Sequence, residues 1–144
     1  MLVDDKPIVV EQEFTAPIGR LWQAITVMSE MQQWFFEQME NFEPVEGFET
    51  KFTIEFDGKE YAHVWKLIEV VPRKKIVFDW SYAGCPGRGH VTWEIEETPG
   101  GSKLKLTNVA VESFPQDDPA FLRESGEEGW KYLIQEELKH FVEA

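Results

Sequence analysis

Three polar residues stand in rows of apolar ones, and a buried polar group without a partner costs roughly 1–3 kcal/mol. Gln12 shares strand parity with Val10 and Phe14, Asn108 with Leu104 and Leu106, and His63 lies among Tyr61, Trp65 and Leu67. Together with Tyr82 they are candidate polar anchors for the head of a bound molecule. The competing assignment pairs them with one another, with backbone at a bulge, or with water. Around them stands an aromatic set, Trp34, Phe36, Trp65, Trp80, Tyr82, Trp93 and Trp130, from a chain with six Trp and eleven Phe. Such rings build either a cavity wall or an ordinary core. A carboxylate beside His63 would make an acid–base pair, but 27 Asp and Glu leave its identity unconstrained.

Other chemistries lack their residues. His63, His90 and His140 are widely spaced, with no H-E-x-x-H and no Cys/His cluster, so no metal ligand is assigned. No G-x-S-x-G elbow offers an activated serine, no catalytic residue is assigned, and no cofactor is implied. Gly84-Cys85-Pro86-Gly87-Arg88-Gly89 has neither phosphate-loop order and joins two strands; it is expected to be a hairpin near a cavity mouth, where Arg88 meets an acidic ligand group. The single cysteine, Cys85, excludes an internal disulfide, and only Arg88 is placed to lower its pKa.

Fourteen Lys and Arg against 27 Asp and Glu give a net charge of −13, which repels nucleic acid and anionic membranes alike. No stretch approaches the ~20 apolar residues of a membrane helix. Met1 to Pro7 has no basic start and no apolar run of a signal peptide. The expectation is one cytoplasmic domain spanning residues 1–144.

The elements follow from periodicity. Ile8–Phe14 alternates as a strand, and Thr15-Ala16-Pro17 opens a helix carrying Leu21, Trp22, Ile25 and Met28. Ser29 is the expected N-cap of a second short helix with Met31, Trp34 and Phe35. Beyond Glu43–Gly47 the period falls to two, with Asp57-Gly58 and Pro99-Gly100-Gly101 as hairpin turns. Tyr61–Val71 carries apolar residues of both parities, which a bulge would reconcile without fixing its inward face. Asp118-Pro119 opens a tract to the C-terminus in which Trp130, Leu133, Ile134, Leu138, Phe141 and Val142 form one stripe. Gly126 and Gly129 either lie in that helix, leaving room against the sheet, or form its lead-in. The predicted class is α+β: a curved six-stranded antiparallel sheet around a long C-terminal helix, with two short helices after the first strand. The curled sheet meets the helix at its rims and leaves a cavity beneath it.

This order of elements, the stretch Thr15-Ala16-Pro17 to Trp34-Phe35, the run Leu67-Ile68-Glu69-Val70-Val71-Pro72 and the tail Gly126-Glu127-Glu128-Gly129-Trp130 resemble the START/birch-pollen-allergen-like (SRPBCC) superfamily. The branch named for the C-terminal domain of the activator of heat-shock-protein-90 ATPase is the most similar, over roughly Ile8 to Val142. The resemblance implies a helix-grip fold, and its members commonly hold an apolar lipid, sterol or polyketide between sheet and helix. It implies no catalytic set, because the family shares none.

Sequence and resemblance together point to binding of a small, mostly apolar, lipid- or polyketide-like molecule. The candidate contacts are Gln12, Trp34, Phe36, His63, Trp65, Trp80, Tyr82, Trp93, Asn108, Gly126 and Trp130, and the 84–89 hairpin or the 113–119 loop would gate access. A cyclase- or hydrolase-type enzyme and a chaperone-associated interaction module are the alternatives. The module, or a homodimer, would show Trp22, Trp34 or Phe114 at its surface and a filled interior.

Overall fold

The computed structural model describes every residue, Met1–Ala144. Strands β1 (Ile8–Phe14), β2 (Glu49–Phe56), β3 (Lys59–Val71), β4 (Lys75–Tyr82), β5 (Arg88–Thr98) and β6 (Gly101–Glu112) form one antiparallel sheet in the order β1-β6-β5-β4-β3-β2. Asp57 and Gly58 both take positive φ, as the twist of a two-residue hairpin requires. At the β5–β6 turn only glycine fits: a Cβ on Gly101 would lie 2.2 Å from the Phe14 carbonyl oxygen. In β3 the register shifts between Leu67 and Glu69, the bulge that its mixed parity demanded. His63, Trp65 and Leu67 face inward, and Ile68 is exposed.

The chain crosses from edge strand β1 to edge strand β2 through helices α1 (Ile18–Thr26) and α2 (Met28–Trp34) on the concave face. Pro17 is the N-cap of α1 rather than a member of its first turn. Val27 both ends α1 and caps α2 with extended backbone, so Ser29 caps nothing, correcting the expectation. A single residue separates the two helices and leaves no position for a side-chain cap.

Asp118 does cap, its Oδ1 accepting the Ala120 N–H at 3.0 Å, but it opens only a 3-10 turn, Pro119–Phe121. Leu122 is extended and the C-terminal helix begins after it, as α3 (Arg123–Lys131), a π-helical stretch (Tyr132–Leu138) and α4 (Lys139–Glu143). Both glycines therefore lie inside the helix. Trp130, Ile134, Leu138 and Val142 are its buried residues, four apart each time. An α-helix of 3.6 residues per turn lets such a stride drift, whereas π turns hold more residues and keep it on one line.

Twenty-eight buried apolar residues form one cluster. Leu21, Ala24, Ile25, Ile134 and Leu138 are completely buried within it, so the distal half of the helix, α1 and the sheet pack without a gap. Leu138→Ala should lower stability by about 2–5 kcal/mol in urea denaturation, by lost transfer energy and cavity formation. Tyr132→Ala, at a 53% exposed position at the other end of the π-helical stretch, should change it by less than about 0.5 kcal/mol.

Candidate functional site

Over the other half of the sheet the helix does not close. A cavity of about 200 Å³ lies between the strands and the glycine-bearing start of the helix. Its floor is Ile8 of β1, His63 of β3, Trp80 and Tyr82 of β4, Gly89 of β5 and Asn108 of β6. Phe36 closes one end; Gly126, Gly129, Trp130 and Leu133 form the roof, and Met1, Phe114 and Phe121 line the mouth. The void has a local cause. A Cβ on Gly126 would meet Ile8 Cδ1 at 3.2 Å, and one on Gly129 would meet nothing within 4 Å. Two missing side chains on one helical turn are the missing volume.

Of the eleven candidate contacts, Phe36, His63, Trp80, Tyr82, Asn108, Gly126 and Trp130 line the cavity. Gln12 does not: at the far end of β1 it donates to the Glu13 carbonyl at 2.7 Å. Trp34, Trp65 and Trp93 do not either; each is at most 3% exposed, in the packed half of the core. Trp34 donates to the Ala24 carbonyl at 2.7 Å, while Trp65 Nε1 and Trp93 Nε1 have no partner. Phe35 separates these two from the cavity, its ring centre 5.3 Å from Trp65, 5.5 Å from Trp93, 4.3 Å from Phe36 and 5.9 Å from Trp130. Of the proposed surface markers, Trp34 is buried, and Trp22 and Phe114 are half-buried.

The polar atoms of the floor are few. His63 Nδ1 lies 2.9 Å from the Tyr61 carbonyl oxygen, which only accepts, so Nδ1 carries the hydrogen and Nε2 is a bare lone pair. Burial pushes the imidazole down to about 4, only partly opposed by that hydrogen bond, and it is neutral at pH 7. Burial pushes the Tyr82 phenol up to about 12, the nearby Trp80 indole N–H opposing the shift. No Asp or Glu lines the cavity, so the carboxylate partner that an acid–base reading gives His63 is not assembled there. Arg88 is turned away too, bound to Asp79 and Glu112 at 2.7 Å each, and not on an acidic guest. Burial also raises the Cys85 thiol, which disfavours its reactive thiolate.

The mouth is sewn from distant segments. Met1 N donates to the Phe121 carbonyl, and the Phe114 N–H to the Met1 carbonyl at 2.9 Å. Phe114 stacks on Phe121 at 5.7 Å and presses on Gly87, where a Cβ would come within 2.4 Å of its ring. Asp118 Oδ2 accepts from Lys59 Nζ at 2.5 Å and Tyr61 Oη at 3.0 Å, fastening the 113–121 segment to β3. The sequence pointed to Gly89 only through its loop, to Phe114 as part of a gating loop or as a surface marker, and to Met1 and Phe121 not at all.

A curved antiparallel sheet gripping a C-terminal helix, with an unfilled interior at one end, defines the helix-grip class. The chain belongs to the family described as "Activator of Hsp90 ATPase homolog 1-like protein", whose model matches residues 15–143, within the START-like superfamily. Solved structures agree on the fold. Protein CV1439 from Chromobacterium violaceum superposes with a TM-score of 0.79 at 20% identity, over 96% of this chain and 97% of that one. DynU16, of the dynemicin biosynthetic locus, gives 0.77 at 20% identity over 97% of this chain; the chain spans about half of that protein, 48%. CalU16 from Micromonospora echinospora gives 0.67 at 20% identity, over 94% of this chain and 75% of that one. No curated protein matches the sequence.

The buried neutral histidine makes stability depend on pH. Its folded value, about 4, lies below the unfolded value of 6.5. Its contribution is therefore complete above pH 6.5 and is lost as pH falls towards 4, by roughly 3 kcal/mol at about 1.36 kcal/mol per pH unit. Chemical denaturation from pH 7 to 4 should show wild type losing that much more stability than His63→Phe. The difference between the two isolates the imidazole from the carboxylates.

Proposed function

We propose that the protein binds a compact, mostly apolar small molecule in the cavity between the sheet and the start of the C-terminal helix. The observation that carries this reading is the pair of helical glycines standing over an apolar void. A helix pays about 1 kcal/mol for each glycine relative to alanine, and a chain that only needed a core would have filled the space. Aromatic walls at Phe36, Trp80, Phe114, Phe121 and Trp130 suit a flat guest. The fold shared with DynU16, of the dynemicin biosynthetic locus, is consistent with a small organic ligand.

Size narrows the guest. An engineered apolar cavity of about 150 Å³ takes benzene, so about 200 Å³ suits one substituted ring rather than a long acyl chain. Burying about 150–250 Å² of such a ring at ~25 cal/mol per Å² supplies roughly 4–6 kcal/mol, affinities of about 0.04–1 mM before any polar contact. The Asp118 fastening makes the 113–121 segment the gate.

Native mass spectrometry of the protein mixed with a millimolar excess of a one-ring aromatic should show a one-to-one complex. Gly126→Leu, which puts a side chain into the cavity at the expense of a shift of Ile8 Cδ1, should weaken binding of one-ring aromatics at least tenfold by calorimetric titration. Lys105→Ala, on the outer face, should leave it unchanged; equal effects would count against the cavity. Asp118→Ala should speed amide exchange across 113–121 and raise both association and dissociation rates.

A further inference from the structure

The cavity's polar atoms describe the guest more closely than its volume does. Among the floor side chains, His63 Nε2 and the Asn108 amide have no hydrogen-bond partner inside the chain, and the Tyr82 hydroxyl keeps its hydrogen free beside the Trp80 indole N–H. His63 Nε2 is an acceptor on a side chain 6% exposed that lines the cavity, and the ring is anchored through Nδ1 to its own strand, which leaves the distal nitrogen for a guest. The Tyr82 hydroxyl has no acceptor within the chain. Asn108 offers both an NH₂ that donates and a carbonyl oxygen that accepts. His63 and Tyr82 are direct partners across β3 and β4, with ring centres 4.7 Å apart, so a bare acceptor and a bare donor share one wall.

All three groups are uncharged, and the charges at the rim are already engaged. Arg123 gives Nε to the Lys6 carbonyl at 2.7 Å, Nη2 to the Pro7 carbonyl at 2.9 Å, and lies 3.5 Å from Glu127. The Met1 ammonium donates to the Phe121 carbonyl. An anionic guest would be stripped of water and meet only two rim cations already bonded to backbone carbonyls, in a chain of net charge −13. A purely apolar guest would cover the His63 Nε2 lone pair and the Tyr82 O–H hydrogen and leave both unsatisfied.

We infer that the guest is an uncharged aromatic molecule of one ring bearing a hydroxyl group, a phenol, whose O–H donates to His63 Nε2 while its oxygen accepts from Tyr82 or Asn108. This rests on the cavity-binding reading and goes further in making His63 the residue that selects a donor. Recognition involves no proton transfer: the phenol keeps its hydrogen and the imidazole stays neutral.

The test uses a matched probe set on the whole protein at pH 7: 4-ethylphenol, its methyl isostere 4-ethyltoluene, and the anion 4-ethylbenzoate, titrated by NMR. The phenol and the isostere differ in hydrophobicity, so the readout is the ratio of their affinities in wild type and in His63→Phe. That ratio should fall about tenfold or more in the variant, the effect of one hydrogen bond. 4-Ethylbenzoate should bind wild type at least tenfold more weakly than the phenol. A second measurement needs no variant: long-range ¹H–¹⁵N spectra should show His63 as the Nδ1–H tautomer, with the Nε2 signal moving on addition of 4-ethylphenol but not of 4-ethyltoluene. If both neutral probes bind, the ratio is unchanged in His63→Phe and the Nε2 signal is silent, the donor-selection inference falls while the cavity stands. Tight binding of 4-ethylbenzoate overturns the uncharged class. If no probe binds, the cavity reading falls and takes this inference with it.

Discussion

The C-terminal helix is packed solid at its distal end only. Ile134, Leu138 and Val142 are locked against β1, α1 and the sheet, and that half of the interface leaves no room for adjustment. That docking, together with the Arg123 bonds to the Lys6 and Pro7 carbonyls, fixes the height of the first turns above the strands. What those turns do with the space is then a matter of side-chain volume alone. Trp130 reaches down and fills its share; Gly126 and Gly129, on the same turn, do not. Cavity position, shape and opening follow from an apolar stripe that stops at Trp130, about two turns short of the start of the helix.

The same seating explains the π-helical stretch. Four buried residues at a constant stride of four would spiral off the contact line of a regular α-helix, turning either Trp130 or Val142 out of the core. Tyr132–Leu138 absorbs the mismatch by holding more residues per turn. Trp130 then still faces the sheet, where it touches Trp80 and Trp93 at 5.5 and 6.2 Å and forms the inner wall of the cavity. The aromatic wall thus depends on the backbone irregularity beyond it.

Most of the architecture was legible in the sequence because period-two and helical apolar patterns are local. All six strands, both short helices and the terminal stripe read directly, and the bulge in β3 was implied by its conflicting parities. Local pattern failed where the outcome depends on tertiary proximity. Trp34, Trp65 and Trp93 have the same composition and spacing as Trp80 and Trp130, yet the first three lie where α1 and α2 cover the sheet. Gln12 has inward parity, but it sits near the end of β1, where its side chain turns to the Glu13 carbonyl. Met1 reaches the mouth through a pairing with Phe114 and Phe121, over a hundred positions away along the chain, and no local signal carries that. Ser29 failed for a simpler reason: with one residue between α1 and α2, the backbone of Val27 is the cap.

Legibility was better for the polar residues than for the aromatics, and the reason is energetic. An extra aromatic ring in a core costs nothing that needs explaining, whereas an imidazole held neutral by burial lowers stability as soon as the medium turns mildly acidic. The anchor at Nδ1 recovers one hydrogen bond and leaves Nε2 without one. A leucine or phenylalanine at position 63 would avoid both penalties and pack against Phe36, Phe52 and Trp80, the rings that His63 already touches. The sheet alone therefore gives no reason for a histidine there. A guest that supplies the missing donor does, because it satisfies Nε2 without disturbing the Nδ1 anchor, and it meets Tyr82 in the same step.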